Sequence, residues 1–370
     1  MYCGFYSTTS LSLQRRYVEA LCREYELRRN SMPCPPTTIY IGGGTPSCLP
    51  LPYLEHLFSV LGSASEVTME CNPDDVTEGF AQSLRQLAVN RVSMGAQTFC
   101  DERLRFIGRR HTAAQVSVAV ERLRHAGIGN ISIDLMYGFP DETLDDWQRD
   151  IKAALALHVE HLSAYALTYE EHTPLYKLWE QGRVKPVDEE LCRDMYYTLI
   201  DRLTAADYEH YEISNFARSG YRSRHNSAYW NHTPYLGLGA AAHSFDGHRR
   251  QWNVADIMQY MEGVESGEMV TDSELLDGDT LYNDLVMTAL RTYDGLSLEH
   301  LDNLQSSISN LQSSVPNPQF SKYRHYCLDQ AQRYIDGGLL VHERETDRLR
   351  LTRDGLFVSD MVMADLMLVK

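Results

Sequence analysis

Five short runs rich in β-branched and aromatic residues alternate with five stretches of helical periodicity, and this alternation constrains the fold more than any other feature. Thr37–Ile41, Val67–Cys71, Arg91–Gln97, Ile131–Tyr137 and His161–Leu167 read as strands. Helices are expected near 11–29, 50–61, 77–89, 112–126 and 143–157; the fourth carries Ala113, Val116, Val120 and Leu123 on one face. Strands that alternate with helices form parallel βαβ units whose helices cover the sheet. In such α/β folds, function gathers at the carboxyl ends of the strands.

Those ends are polar or glycine-rich. Gly42-Gly43-Gly44-Thr45-Pro46 follows the first strand, and Glu70, Gln97 and Asp134 mark the next three, with Thr168–Glu171 after the fifth. Glycines let a ligand approach the backbone because no Cβ blocks the amides; a plain tight turn is the other reading. Neither Gly-x-Gly-x-x-Gly nor Gly-Lys-Ser/Thr is present, so this is neither a dinucleotide fingerprint nor a Walker loop. Arg109 lies twelve residues beyond Gln97. Carboxylates, an amide and a guanidinium around one mouth suit an amino acid and a ribose, since Arg clamps carboxylates and Asp or Glu accepts from hydroxyls. Ion pairs around a sheet edge are the alternative.

Downstream, His225-Asn226-Ser227-Ala228-Tyr229-Trp230 sets two aromatics beside an imidazole, and histidine is a common axial ligand of haem iron. A satisfied structural histidine is the plainer reading. Gly237–Ser244 is a small-residue run that permits close backbone approach or tight packing. Residues 262–279 hold seven acids and no Lys or Arg, and read as a solvated linker. Beyond it, helices over Leu281–Thr292 and Tyr323–Asp336 and a hairpin of Leu339–Glu343 with Arg348–Thr352 suggest a small winged-helix-like domain. Asn-Leu-Gln-Ser-Ser occurs twice between them, at Asn303–Ser307 and Asn310–Ser314, as a surface loop. The expected division is 1–261, the acidic linker 262–279, and 280–370.

The 370 residues carry 34 basic and 51 acidic side chains, a net charge of −17, which argues against a nucleic-acid partner. No apolar run approaches the ~20 residues of a membrane span. The eight cysteines are scattered, which excludes a disulfide scaffold and places the chain in a reducing cytoplasm.

Several motifs together carry a family resemblance: Ile41-Gly-Gly-Gly-Thr-Pro-Ser47, Arg91-Val-Ser-Met-Gly-Ala-Gln-Thr-Phe99, Ile107-Gly-Arg-Arg-His111, Ile133-Asp-Leu-Met-Tyr-Gly-Phe-Pro140, Tyr211-Glu-Ile-Ser-Asn-Phe216 and His225-Asn-x-x-Tyr-Trp230. With them the chain resembles the oxygen-independent coproporphyrinogen III oxidase-like branch of the radical SAM proteins. The resemblance implies an α/β fold, a partial (β/α)6 barrel with a small C-terminal winged-helix-like α+β domain. It implies S-adenosylmethionine (SAM) bound by Gly43, Gly44, Thr45, Glu70, Gln97, Arg109 and Asp134. It also implies a 4Fe–4S cluster on a Cys-x3-Cys-x2-Cys motif, served by an electron donor. Cys3 matches the last cysteine of that motif; the other two, and the first barrel strand, would precede Met1. One thiolate cannot hold a cuboidal cluster.

Two activities are known in this family: the anaerobic coproporphyrinogen III dehydrogenase, and a haem chaperone that passes haem to an acceptor protein. The dehydrogenase has a further cysteine two residues after the third, where this chain has Phe5; the chaperone branch has His-Asn-x-x-Tyr-Trp, intact at 225–230. The expectation is therefore a haem chaperone, with His225, Asn226, Tyr229 and Trp230 at the haem. The C-terminal segment is a candidate surface for docking the acceptor.

Overall fold

The structure, a computed structural model, describes residues 10–32, 34–304 and 322–369. Cys3 and Phe5 lie outside the described residues, as do the second Asn-Leu-Gln-Ser-Ser copy and most of the first.

The alternation read from the sequence builds one open sheet. Strands β1 (Thr38–Ile41), β2 (Glu66–Cys71), β3 (Arg91–Gln97), β4 (Asn130–Tyr137) and β5 (His161–Ala166) pair in parallel with their sequence neighbours. The sheet continues antiparallel with β7 (Asn215–Ala217) and ends at β6 (Glu209–Glu212), in the order β1-β2-β3-β4-β5-β7-β6. Helices Leu51–Leu61, Glu78–Gln86, Ala113–His125 and Leu144–Ala156 form the crossovers. Thr143 opens the last with a capping box, its hydroxyl accepting from the Asp146 amide while Asp146 reaches back to the Thr143 N–H.

The two faces of this sheet differ in chemistry. Side chains alternate along a strand, and Val67, Met69, Val92, Met94, Ile131, Ile133, Leu162 and Ala164 share one buried cluster with Leu54, Leu84, Leu123 and Trp147 of the crossover helices. The intervening residues are Thr68 and Glu70, Arg91 and Ser93, Ser132 and Asp134, and His161 and Ser163. Parallel strands covered on both faces ordinarily read as continuous apolar runs. Here the inner face is polar, as in a barrel that closes around a ligand.

Past β7 the chain forms a second sheet, β8 (His243–Phe245), β9 (Arg249–Asn253) and β10 (Thr271–Leu275), ordered β10-β9-β8. This corrects the expected acidic linker. Residues 262–279 include the end of helix Ile257–Ser266, all of β10 and the start of helix Gly278–Ala289. Three of the seven acids meet cations from elsewhere: Glu274 of β10 lies opposite Arg250 of β9, 3.1 Å away, Glu265 pairs with Arg16 at 2.6 Å, and Asp279 with Lys322 at 3.1 Å. An acid-rich edge strand also resists pairing with other chains.

Gly237–Ser244 is a packing device. A side chain at Gly237 would overlap the His243 main chain, and one at Gly239 would strike Tyr17. That closeness serves the buried carboxylate of Glu24, which accepts from the Gly239 amide (2.9 Å), Asn253 Nδ2 (2.9 Å), Tyr260 Oη (2.7 Å) and Arg28 Nη1 (2.6 Å). A buried charge persists only when so paired.

A separate apolar cluster of Tyr282, Val286, Leu298, Tyr323, Cys327, Leu349 and Val362 holds the C-terminal elements together. They comprise helices Gly278–Ala289 and Lys322–Asp336, strand β11 (Leu296–Ser297), and the hairpin of β12 (Leu340–Glu343) and β13 (Arg348–Leu351) that β11 extends. Helices against a three-stranded antiparallel sheet match the winged-helix-like expectation. No helix among the described residues is long and apolar enough to cross a membrane.

Candidate cofactor site at the sheet's carboxyl edge

β1 runs straight into the glycine turn. Gly43 and Gly44 take φ of 75° and 56°, a left-handed backbone that favours glycine, and nothing lies within 4 Å of a Cβ built on either. The turn is held by Glu70 at the end of β2, whose carboxylate accepts from the Gly43 amide (3.1 Å) and from Tyr40 Oη (2.7 Å). Gly42 has no room for a side chain: its Cβ would meet Tyr40 and Glu70 at 2.6 and 2.9 Å. Thr45 is exposed at the end of the turn, its carbonyl accepting from the Cys48 amide at 3.0 Å.

β3 delivers Gln97 through a break in the ladder. Register shifts between Gly95 and Gln97, and Gln97 takes a φ of 65° while almost fully buried. Such strain in a non-glycine residue persists only where the surroundings enforce it. Gly95 is required there, since its Cβ would lie 2.6 Å from Gln97 Nε2 and 3.1 Å from Arg109 Nη2. Arg109 is steered in turn by Asn72, whose Oδ1 accepts from Nη1 at 2.8 Å. Gln97 and Arg109 therefore converge.

Asp134 pairs in register with Gly95 and lies deep in the fold, with part of its surface open to the inner space. Burial pushes its carboxyl up to about 6, and the nearby Glu70 carboxylate adds to the shift; Ser163, Arg91 and Arg109 oppose it. The Ser93 hydroxyl lies 3.4 Å from its Oδ1, a weak contact. All seven residues expected at SAM thus gather along the carboxyl edge of β1–β4. Asn72 belongs to the polar group that ends the second strand, while Tyr40, Arg91 and Ser93 join the site from within the strands, where the polar alternation of each strand is their signal.

The second constellation lies beside the first. Helix Arg224–Trp230 starts on β2: Glu66 accepts from the Arg224 and His225 amides at 3.1 and 2.9 Å, and Ser223 caps the Asn226 amide. The His225 ring stacks on Tyr40, with centroids 4.7 Å apart and planes at 19°. Its Nδ1 lies 3.1 Å from Thr38 Oγ1, and its Nε2 3.0 Å from Tyr229 Oη. Burial, then the Arg91 charge, lowers it to about 4, so the imidazole is neutral at pH 7. His225 and Tyr229 are brought together. Trp230 points to a different neighbourhood, under the Arg291 guanidinium at 5.2 Å.

The open glycine turn and the carboxylates and guanidinium around it fit SAM. The cluster does not fit the described residues: among them no three His, Cys, Asp or Glu side chains group to hold a metal.

Comparison with known proteins shows the family and the fold. The Radical SAM superfamily profile matches residues 1–154. The "Heme chaperone HemW" of Lactococcus lactis is 34% identical over 296 residues, covering 78% of this chain and 76% of that protein. The protein of the same name from Mycobacterium tuberculosis is 31% identical over 378 residues, covering 99% and 91%. Coproporphyrinogen III oxidase from Escherichia coli, a radical SAM enzyme, superposes with a TM-score of 0.79 at 21% identity over 99% of this chain and 86% of that one, a likeness of fold. The class defined by fold and site is a radical SAM barrel. Within that class, the chain belongs to the haem chaperone family, in which SAM and a 4Fe–4S cluster are implied.

Proposed function

We propose that this chain is a cytoplasmic haem chaperone that binds haem and hands it to an acceptor protein, with SAM bound at the carboxyl edge of the sheet. The main-chain groups of Gly43, Gly44 and Thr45 receive the methionine part of SAM. Arg109 clamps its carboxylate, Glu70 orients its amine, and Gln97 and Asp134 accept or donate at the ribose. SAM supplies the radical chemistry when an electron donor and a cluster serve it; this chain's residues bind it, orient it and exclude water. His225, Asn226, Tyr229 and Trp230 form the haem element.

The observation that carries the reading is the stack of His225 on Tyr40, whose hydroxyl holds the same Glu70 that holds the glycine turn. The haem motif and the cofactor turn are thereby built on one strand. A neutral imidazole is the form that ligates iron, and its Nε2 must first release the Tyr229 hydroxyl. Haem titration followed at the Soret band tests this: His225→Ala is expected to bind at least tenfold more weakly, and an unchanged band and affinity would remove His225 from the site. Phe5 in place of the further cysteine disfavours the dehydrogenase alternative.

A further inference from the structure

The inner face of the sheet carries one register row whose polar groups go unanswered. β2, β3 and β4 pair so that Thr68 lies beside Arg91, and Arg91 beside Asn130. Strand alternation turns all three to the same face as Glu70, Ser93 and Asp134. Thr68 and Arg91 are 0% and 1% exposed. Thr68 Oγ1, Arg91 Nε and Asn130 Oδ1 are each enclosed with no hydrogen-bond partner among the described residues. The neighbouring row, Glu70, Ser93, Ser132 and His161, differs. There Glu70 holds Tyr40 and the Gly43 amide, Ser132 Oγ lies 2.7 Å from His161 Nδ1, and His161 Nε2 lies 2.7 Å from Tyr211 Oη.

Arg91 is the exceptional member of its row. It forms no salt bridge with a carboxylate of the described residues. Its charge is felt by Tyr40, Asp134, His161, Tyr211 and His225, which places the guanidinium among the inner groups of the sheet. Burial holds both of those imidazoles in the neutral form, so neither adds a cation. A guanidinium cannot shed its proton to escape the cost of burial, and a buried charge persists only when it is paired and hydrogen-bonded. Buried polar atoms are rarely left without partners. Three of them side by side in one row, one belonging to a cation, mark a place built for a ligand.

We infer that Arg91, Thr68 and Asn130 form a subsite for a small organic carboxylate inside the sheet, at the amino ends of β3 and β4. The chemistry matches group by group. A planar carboxylate accepts two parallel N–H bonds from the guanidinium fork. The Thr68 hydroxyl donates a third bond, and the Asn130 amide, whose oxygen and nitrogen exchange by a flip, donates from Nδ2. Glu70 and Asp134 lie toward the carboxyl edge, so the Arg91 row is where an anion is favoured. The enclosure of Thr68 and Arg91 admits a ligand of a few atoms and no macrocycle. The ligand is therefore a third one, distinct from haem and from SAM, and the inference stands apart from both.

Calorimetric titration of the full chain with acetate and propanoate, with the neutral isostere acetamide, and with chloride tests the subsite. The carboxylates are expected to bind about tenfold or more tightly than acetamide or chloride. Arg91→Lys keeps the charge but loses the fork, and should weaken the carboxylates about tenfold. Thr68→Val replaces the hydroxyl by a methyl group and should weaken them about threefold. Asn130→Asp supplies a carboxylate from the chain itself, beside Arg91 in the row, and should abolish the binding while raising the thermal midpoint. These last two variants carry the test if Arg91→Lys fails to fold. Carboxylates that bind the wild type no better than acetamide, or that bind Asn130→Asp as they bind the wild type, overturn the subsite. Chloride bound as tightly as acetate overturns its assignment to carboxylates.

Discussion

Glu24 and Asp134 are both carboxylates withdrawn from water, and the fold treats them in opposite ways. Glu24 ties helix Gln14–Arg28 to the extension beyond β7 and accepts from four donors between 2.6 and 2.9 Å. Asp134 has a 3.4 Å contact with Ser93, a contribution from Ser163, and the Glu70 carboxylate nearby. One buried acid is saturated and locks the structure. The other is short of donors beside a like charge, and it sits where a ligand with hydroxyl or ammonium groups would complete it. A perturbed carboxyl in a cleft is the usual mark of a site.

The comparison breaks most visibly at Glu24. Removing one partner of a buried charge network costs about 3–5 kcal/mol, so Glu24→Ala should show a stability loss of that order in urea unfolding. A loss near zero would mean that the network does not lock the extension. Asp134→Asn should behave in the contrary sense. Its urea midpoint at pH 7 should stay level or rise, while SAM affinity, read by equilibrium dialysis, falls about tenfold, or ~1.4 kcal/mol. A marked fall in stability with affinity intact would make Asp134 a structural acid like Glu24.

Tyr40→Phe sharpens the comparison at its edge. It removes a 2.7 Å bond to Glu70 but leaves a ring to stack on His225. A hydrogen bond to a charged group is worth about 1.5–3 kcal/mol, of which part is recovered by water, so a three- to tenfold loss of SAM affinity is expected with haem affinity retained. The smallest effect is a pH slope, since other groups titrate in the same window. A carboxyl raised to about 6 contributes stability that is complete below its ordinary value near 3.8 and lost as pH rises through 6. The advantage of Asp134→Asn over wild type should therefore grow from pH 4 to pH 7. His225, lowered to about 4, works the other way: its neutral form is favoured in the fold, so stability falls as pH drops from 6.5 toward 4. His225→Gln should flatten that part of the curve in urea midpoints taken at pH 5 and 7.

Much of this was legible in the chain. The five parallel strands matched their expected runs closely because β-branched stretches bounded by glycine or polar turns leave little freedom. The strand-end residues Gly43, Glu70, Gln97 and Asp134 followed, since every parallel strand presents its carboxyl end to the same edge. The acidic stretch 262–279 misled because composition reports charge, whereas Arg250 and Arg16, the partners that let it fold, lie 24 and 249 residues away from Glu274 and Glu265. Strands β6–β10 lack the β-branched runs that mark β1–β5, reading Glu-His-Tyr-Glu in β6 and Arg-Arg-Gln-Trp-Asn in β9.

What the sequence by itself determined is the order of elements, the carboxyl-edge position of the site, and the motif at His225–Trp230, because these depend on local periodicity and on residue types at strand ends. Only the tertiary structure decided which groups are left wanting. Glu24 and Asp134 look alike as letters. The difference between them lies in donors brought in from Gly239, Asn253 and Tyr260 in the one case and a neighbouring Glu70 in the other. Likewise, His225 has both ring nitrogens hydrogen-bonded by Thr38 and Tyr229, while the Trp230 indole Nε1 is buried with no partner among the described residues. Long-range partners set the energy of a buried polar group, and only the folded chain brings them within reach.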